Sequence, residues 1–185
     1  MKGIFLDLPT IETERLILRK VRIEDVPDIY EYTSDRLISK YTPWDYHNNI
    51  NFTMKFVDNL IENYKNDTES DWVIELKEEK KVIGLCGFVR WDKKHHRIEI
   101  AYSLSRTYWH KGFATEAIKS LIGFGFEQMN INRLEAKVHP QNIASIRVLE
   151  KIGFIFEGHL RDYWFVNNGF IDVNNYSIIR RDRKD

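Results

Sequence analysis

Cysteine is nearly absent from this sequence, in which Cys86 is the only one. A lone cysteine excludes an intramolecular disulfide and a cluster of thiolates around a metal ion. A secretory start and a membrane span are lacking as well. No positively charged stretch precedes an apolar segment, and no apolar run reaches the length of a transmembrane helix. We therefore expect a cytoplasmic protein without a membrane partner.

An excess of charge of either sign is also missing, because 28 Lys and Arg residues balance 28 Asp and Glu residues. Without an overall positive field there is no general attraction to nucleic acid, and we expect no direct nucleic-acid partner. Internal repeats and low-complexity linkers are absent from the 185 residues, which predicts a single domain over residues 1–185. Only the charged end, residues 180–185, is expected to lack order.

The spacing of apolar residues predicts strands and helices in a mixed α/β order. Strands are predicted at 15–19, 72–76, 82–89, 98–104 and 134–138, and helices at 23–30, 51–65, 117–126 and 143–151. A hairpin is predicted from 154–166 and 170–179 around Asn167-Asn168-Gly169, whose residues tolerate positive φ. Strands at both ends with strand and helix units between them indicate one mixed sheet.

The segment His110-Lys111-Gly112-Phe113-Ala114-Thr115 joins a predicted strand to a predicted helix. A helix N-terminus offers unpaired N–H groups and a partial positive charge, and Gly112 and Ala114 let an anion approach the backbone. Lys111 adds a cation, and Thr115 can cap the helix or donate to a phosphate oxygen. The loop alone is equally compatible with a plain glycine turn, and it lacks the spacing of a Walker loop.

Three segments together resemble the cofactor core of the GNAT N-acetyltransferase superfamily. They are the strand 99–104, the loop 109–117 and the block from Asn142-Ile143-Ala144-Ser145 to Lys151-Ile152-Gly153-Phe154. Segments 13–19, 41–44, 158–162 and 169–172 are similar to the RimJ/RimL branch, which acetylates ribosomal-protein N-termini. The resemblance therefore spans nearly the whole chain.

This resemblance implies an acetyl-CoA-dependent N-acetyltransferase fold. It would be an α/β (α+β) domain with a mostly antiparallel sheet of about seven strands flanked by about four helices. The cofactor would lie between two splayed parallel central strands. The resemblance also implies that backbone at Leu104 and Ser105 pairs with pantetheine, that Asn142 touches the pantetheine arm, and that the pyrophosphate contacts His110, Lys111, Gly112, Phe113, Ala114 and Thr115.

Two positions depart from the family pattern. The general loop opens with arginine or glutamine three residues before its first glycine, where this sequence has Trp109. We interpret Trp109 as packing and assign the phosphate contacts to the backbone. Many relatives also have a tyrosine that protonates the departing thiolate, and here Leu149 takes its place. By analogy with RimL-type enzymes, Ser145 becomes the candidate acid, although a serine early in a helix commonly bonds backbone instead.

The reaction needs a neutral amine, and an N-terminal amine has a reference pKa of about 8, so one carboxylate or ordered water suffices as a base. Glu99, on the polar face of the strand beside the proposed thioester, is our preferred base, directly or through water. The alternative is that Glu99, which stands beside Arg97 on the strand, is a solvated cross-strand charge and takes no part in the chemistry.

Acceptor recognition is assigned to the loop with Tyr41, Trp44 and Tyr46 and to the hairpin with Arg161, Tyr163 and Asp172, although such aromatics also commonly roof a core. His95-His96 lies in a turn without a third clustered ligand, and we predict no metal. Three functions stay open on these residues. They are acetylation of a protein N-terminal amine, acetylation of a small amine such as a polyamine, amino acid or antibiotic, and non-catalytic acyl-CoA sensing. A homodimer is also compatible with the sequence.

Overall fold

The computed structural model describes residues 3–183, which form eight strands and four α-helices. The strands are β1 (Ile11–Glu12), β2 (Leu16–Arg19), β3 (Asp71–Leu76), β4 (Lys81–Asp92), β5 (Arg97–Leu104), β6 (Arg133–Val138), β7 (Ile155–Val166) and β8 (Gly169–Ile179). The helices are α1 (Val26–Thr33), α2 (Ile50–Lys65), α3 (Phe113–Gln128) and α4 (Ile143–Lys151). Each predicted element is present within a few residues of its expected bounds, and β1 is additional.

All eight strands belong to one sheet in the order β1-β2-β3-β4-β5-β6-β8-β7. Neighbouring strands are antiparallel except β5 and β6, which are parallel. The mixed, mostly antiparallel sheet with four helices confirms the predicted fold class. One connected hydrophobic core runs from Phe5 to Ile178, which is compatible with the predicted single domain.

The parallel pair at the centre of the sheet separates along its length. Pairing between β5 and β6 covers only Arg97 to Glu99 on one strand and Arg133 to Glu135 on the other. Beyond that point β5 continues to Leu104 along β4, and β6 continues to Val138 along β8. Each strand thus keeps its outer neighbour while the two diverge, which leaves a gap in the middle of the sheet.

Helices cover both faces of the sheet. On one face, Phe124 of α3 packs on Trp72 and Phe88, with ring centroids 5.6 and 6.4 Å away. Side chains alternate along a strand, so the neighbours of Trp72 and Phe88 point to the opposite face. There Asp71 and Val89 border the same cavity as residues of α1 and α2. The gap between β5 and β6 therefore connects the α3 and α4 side with the α1 and α2 side.

Local backbone geometry places the turns as predicted. Asn142 caps α4 by accepting a hydrogen bond from the Ser145 N–H at 3.2 Å, and Gly153 follows that helix with φ of +95°. Asn167 and Asn168 both have positive φ in the two-residue turn between β7 and β8. These positions suit asparagine and glycine because they tolerate the left-handed region.

The chain's charged end is more ordered than expected. Residues 180–182 form a 3-10 turn, and the Arg180 guanidinium donates to the carbonyls of Phe126 and Ile131 below α3. The expectation of disorder is therefore wrong for this turn, because backbone carbonyls at the end of a helix accept a cation well. Residues 184 and 185 lie outside the described residues. Over residues 3–183, no helix is both long and apolar enough to cross a membrane.

Candidate active site

A cavity of about 530 Å³ occupies the gap between β5 and β6. On β5 its wall extends from Glu99 to Ser103, and on β6 from Ala136 to Val138. Because consecutive strand residues face opposite sides of the sheet, this wall belongs to both faces. Trp44, His47 and aromatic residues of α2 close the cavity on the α1 and α2 side, and residues of α4 border it on the other side.

The loop before α3 presents free backbone donors. His110 and Gly112 both have positive φ, +61° and +83°, and turn the chain into the helix. Glu116 N–H, bonded to the Gly112 carbonyl at 3.0 Å, is the first amide that the helix satisfies. The N–H groups of Phe113, Ala114 and Thr115 therefore point out of the helix end without an intrahelical acceptor. Such a terminus suits a pyrophosphate.

Arg15, which directly precedes β2, contacts this loop, and no pattern in the sequence indicates the contact. Its guanidinium donates to the Lys111 carbonyl at 3.0 Å and forms an ion pair with Glu116 at 2.6 Å. It also lies 4.4 Å above the Phe113 ring. Arg15 thus ties β2 to the start of α3 and holds the loop in place. Only the 101-residue separation hides this pair from sequence inspection.

Lys111 and Phe113 have unequal positions in the loop. The Lys111 side chain is exposed, with its ammonium 5.2 Å from the Tyr108 ring, so it is free to meet an anion. The Phe113 side chain is buried against Tyr108, which leaves its backbone as the accessible part.

Backbone groups at the end of β5 are partly occupied. Ser105 N–H donates to the Ile83 carbonyl of β4 at 2.8 Å, so it does not face the gap. The Leu104 carbonyl accepts a hydrogen bond from Trp109 Nε1 at 2.7 Å. Alternate strand residues direct their backbone groups to opposite sides, which leaves the Leu104 N–H facing the gap. Of the two residues predicted to pair with pantetheine, Leu104 therefore offers its N–H group and Ser105 does not. Trp109, which was interpreted as a packing residue, also stabilises the end of β5 through its hydrogen bond.

Ser145 lies where a proton donor is useful, and it has a partner. Its hydroxyl is 2.7 Å from the hydroxyl of Tyr102 on β5, and both residues border the cavity. Burial raises the pKa of Tyr102 to about 12, against the hydrogen bond to Ser145, which lowers it. Leu149 is fully buried. A tyrosine on the strand therefore comes close to Ser145 even though helix α4 supplies none.

Asn142 also borders the cavity, but its side-chain oxygen already caps α4. Only its amide nitrogen is left for a ligand.

Glu99 is buried, 8% exposed, and two cations hold its carboxylate. Lys137 Nζ is 2.6 Å from Oε2, and Arg90 Nη1 is 3.0 Å from the same oxygen. Burial by itself lowers the pKa of Lys137, but the hydrogen bond and charge of Glu99 outweigh it, and the pKa ends above its ordinary value. The lysine stays charged, and the expected Arg97 neighbour instead pairs with Asp92.

The residues predicted to bind the acceptor separate into two groups. Tyr41 and Trp44 border the cavity, and the Tyr41 ring lies 5.1 Å from that of His139. Tyr46 points elsewhere and accepts a hydrogen bond from Arg36. On the hairpin, Tyr163 meets Lys137 at 5.5 Å, which connects it to the cavity wall.

Arg161 and Asp172 lie away from this cavity. Arg161 borders a separate, shallow depression at residues 159–163, where the β7 strand has an irregular register. Asp172 accepts hydrogen bonds from His159 and from the Asp162 N–H at 2.8 Å. Its part in acceptor binding stays a prediction.

His47 and Asp71 border the cavity on the α1 and α2 side, and no local sequence pattern singled them out. His47 is buried, and its Nδ1 contacts the Thr33 and Thr53 hydroxyls at 3.0 and 2.8 Å. Burial lowers the pKa of His47, which keeps the ring neutral near pH 7. His95 and His96 lie in a turn as predicted. Within residues 3–183, no group of three or more His, Cys, Asp or Glu side chains could hold a metal ion.

Known proteins resemble this chain over most of its length. It is 40% identical to the uncharacterized N-acetyltransferase p20 of Bacillus licheniformis, over 95% of this chain and 98% of that protein. It is 27% identical to the spermidine N(1)-acetyltransferase of Escherichia coli, over 83% of this chain and 80% of that enzyme.

Solved structures share the fold. A GNAT acetyltransferase from Bacillus anthracis superposes with a TM-score of 0.84 at 29% identity, over 94% of this chain and 99% of that one. RimL, a ribosomal L7/L12 α-N-protein acetyltransferase solved with coenzyme A, superposes with a TM-score of 0.82 at 20% identity, over 92% and 98%. The predicted likeness to the RimJ/RimL branch is confirmed by 34% identity to the putative ribosomal N-acetyltransferase YdaF of Bacillus subtilis, over 54% of this chain and 56% of that protein.

Residues 15–155 match the family described as the acetyltransferase (GNAT) domain. This span includes β2 to the start of β7, the loop before α3 and the gap between the parallel strands. The chain therefore belongs to the GNAT family of N-acetyltransferases.

Proposed function

We propose that this protein transfers the acetyl group of acetyl-CoA to the N-terminal amine of a protein, by direct attack within a ternary complex. The observation that carries this proposal is the cavity that passes through the sheet between β5 and β6. It offers two faces, so a thioester can enter from the α3 and α4 side and an amine from the α1 and α2 side. Holding both at attack distance supplies much of the catalysis.

Acetyl-CoA as the donor is supported by the free amides of residues 113–115 and by the Lys111 side chain at one end of the gap. These groups suit the pyrophosphate, and the Leu104 N–H suits a pantetheine amide. RimL, which has the same fold, was solved with coenzyme A. Besides these contacts, the attack of an amine on the thioester requires a proton acceptor and a proton donor.

The charge of the cavity supports a singly charged acceptor. Its acidic lining residues are Asp45, Asp71 and Glu99, and its basic ones are Arg90 and Lys137. Three carboxylates against two cations leave one net negative charge in the cavity lining. One ammonium group suits such a site better than the several charges of a polyamine. Proteins with a free N-terminus, ribosomal proteins first among them, are therefore our preferred acceptors.

A small amine is the second candidate, because the chain is similar to a spermidine acetyltransferase along most of its length. The cavity would accept a small amine in the same place, and only the acceptor would differ.

Protonation of the departing thiolate is assigned to Ser145, backed by Tyr102. The two hydroxyls are 2.7 Å apart, so a proton that leaves Ser145 can be replaced from the tyrosine. The absence of a tyrosine at position 149 was the reason to consider a non-catalytic acyl-CoA sensor. The Tyr102 contact removes that reason. Glu99 remains a candidate base through an ordered water, although both of its charged neighbours compete for its oxygens.

One assay with three acceptors separates the two candidate functions. The purified protein is given acetyl-CoA with a short peptide, either with a free N-terminus or with that terminus formylated, or with spermidine, and thiol release is followed. We expect release with the free peptide and none with the formylated one. Turnover of spermidine with neither peptide active would replace the first proposal by the second.

A cytoplasmic location and a homodimer also remain proposals. Analytical ultracentrifugation at micromolar concentration checks the second, since a single species of monomer mass would contradict it.

A further inference from the structure

Asp71, the first residue of β3, has a carboxylate without a partner. The residue is half-buried and borders the cavity. Tyr64 donates to its backbone carbonyl at 2.5 Å, but among residues 3–183 no donor or cation bonds its side-chain oxygens. An unpaired carboxylate in such a place costs stability, so it calls for a functional reason.

Neighbouring strands make room for this carboxylate. The sheet register pairs Asp71 with Gly87 of β4 and Gly87 with Ala101 of β5, a row of small residues that leads to the gap. A Cβ atom at Gly87 would stand 2.2 Å from Asp71 Oδ1, so any side chain there would collide with the carboxylate. A glycine within a strand often marks such a close approach. Ala101 is exposed to the cavity in the middle of the central strand.

Uncharged groups surround Asp71 on the elements packed against it. These are Tyr32 of α1, Tyr64 of α2 and Cys86 of β4, and burial raises the pKa of each above its ordinary value, so all three are uncharged near pH 7. With no cation near, burial raises the pKa of Asp71 to about 6.

The other titratable groups that border the cavity already have partners within the protein. Glu99, Lys137 and Arg90 form one ion-paired cluster, and neutral His47 bonds two threonine hydroxyls. Of the two acidic residues that are at least half-buried in the cavity wall, Glu99 is ion-paired and Asp71 has oxygens open to a ligand, whereas the third acidic residue, Asp45, is exposed and accepts from the Tyr46 N–H.

On these observations we propose that Asp71 binds the ammonium group of the acceptor and takes its proton. This inference rests on the proposed function, since it assigns a residue to the amine side of the same reaction. It replaces Glu99 as the first proton acceptor and leaves Glu99 the task of holding Lys137 and Arg90 in the cavity wall.

The step balances without a further reactant. The acceptor ammonium gives one proton to the Asp71 carboxylate and becomes a neutral amine. The nitrogen lone pair forms a bond to the thioester carbonyl carbon, and the carbon–sulfur bond breaks with its electron pair on sulfur. The thiolate takes a proton from Ser145, which the second nitrogen proton restores through Tyr102 or water, and Asp71 releases its own proton to solvent.

The dependence of kcat/KM on pH tests this assignment. Wild-type protein is assayed from about pH 5 to about pH 9 with acetyl-CoA and the free peptide or spermidine. Ionised Asp71 and a charged amine are both required, so we expect a rise near pH 6 with either acceptor and, with the peptide, a fall near the pKa of its N-terminal amine, about 8. Asp71→Asn should lower kcat/KM about 100-fold or more at pH 7 and abolish the rise near pH 6.

Three variants serve as comparisons. Asp58→Asn removes an exposed carboxylate from α2 and should leave the profile unchanged. His47→Gln and Glu99→Gln remove the other groups that could act as the base. The inference is overturned if Asp71→Asn keeps the rise near pH 6, or if His47→Gln or Glu99→Gln abolishes that rise while Asp71→Asn does not.

Folding of the variant is expected and can be checked by thermal unfolding. The folded pKa of Asp71 is raised, so its ionisation destabilises the fold fully above about pH 6 and has no effect below its ordinary pKa of about 4. Asp71→Asn should therefore melt at a higher temperature than wild type at pH 8 and at a similar temperature at pH 4.

A binding measurement keeps the two proposals distinguishable. If no amine is acetylated, the proposed function fails, yet carbon-13 NMR of the aspartate carboxyls in the CoA-bound protein still tests Asp71. The Asp71 signal is identified as the one that the Asp71→Asn spectrum lacks, and it should titrate near pH 6. Its titration midpoint should fall to lower pH when spermidine or the free peptide is added, because a nearby cation favours the charged carboxylate. A titration midpoint that neither amine changes would refute the inference.

Discussion

Tyr102 and Ser145 show how a side chain's neighbour can define its chemistry. Serine alone is a weak proton donor, and its hydroxyl early in α4 would ordinarily bond backbone. Here a hydroxyl from β5 stands 2.7 Å away, so the two form a short chain that ends at the cavity. The pair lies on the α3 and α4 side of the gap, whereas Asp71 lies on the other side. The proposed proton donor and proton acceptor would therefore lie on opposite sides of a thioester bound in the gap.

Removing either hydroxyl should have the same consequence. We expect Tyr102→Phe and Ser145→Ala each to lower kcat about 10-fold to 100-fold, with little change in the KM for acetyl-CoA. Because the two act as a unit, the double variant should lose little more than either single one. Steady-state kinetics of the four proteins gives the coupling. Losses that multiply in the double variant would mean independent roles.

Helix α3 is built so that its first turn stays open. Gly112 precedes it with φ of +83°, and the Arg15 and Glu116 pair anchors the turn to β2. Several hydrogen bonds outweigh the burial of Glu116 and lower its pKa, so the anchor is charged at neutral pH. The negative charge of Glu116 in the first turn also interacts favourably with the helix dipole.

Replacing this glycine should weaken cofactor binding. Gly112→Ala forces an alanine into the left-handed region, which costs about 1 kcal/mol and disturbs the loop, so we expect acetyl-CoA to bind about 5-fold to 10-fold more weakly by calorimetry. Gly123→Ala in the same helix is the matched control, since a Cβ there meets nothing within 4 Å. It should stabilise the protein by about 1 kcal/mol and leave affinity unchanged. Equal affinities for all three proteins would contradict the role of the loop.

Across the whole molecule, the sequence patterns predicted the features that depend on residues close together in the chain. Period-two and helical spacings gave the strands and helices, and the Asn142 cap and Gly153 gave the ends of α4. The two-residue strand β1 was missed because its length carries no periodicity. Glu99 was expected to be a base or a solvated strand charge, but it is buried, and Lys137 reaches it from 38 residues away. Strand order brings these partners together, and no spacing in the chain encodes it.

Asp71 illustrates the same limit at the site. In the sequence it is one acidic residue before an apolar run, and Gly87 is one glycine in a strand. Their meeting depends on the register of β3 on β4, and the lack of any compensating cation becomes visible only when the surrounding elements are packed.

The central claim is that acetyl groups pass from acetyl-CoA through the gap between β5 and β6 to the N-terminal amine of a protein. Its most direct test is mass spectrometry of proteins from a cell lysate after incubation with the purified protein and isotopically labelled acetyl-CoA. We expect labelled acetyl groups on the α-amines of a small set of N-termini, and their loss with Asp71→Asn. Label confined to lysine side chains or small amines, or absent altogether, would contradict it.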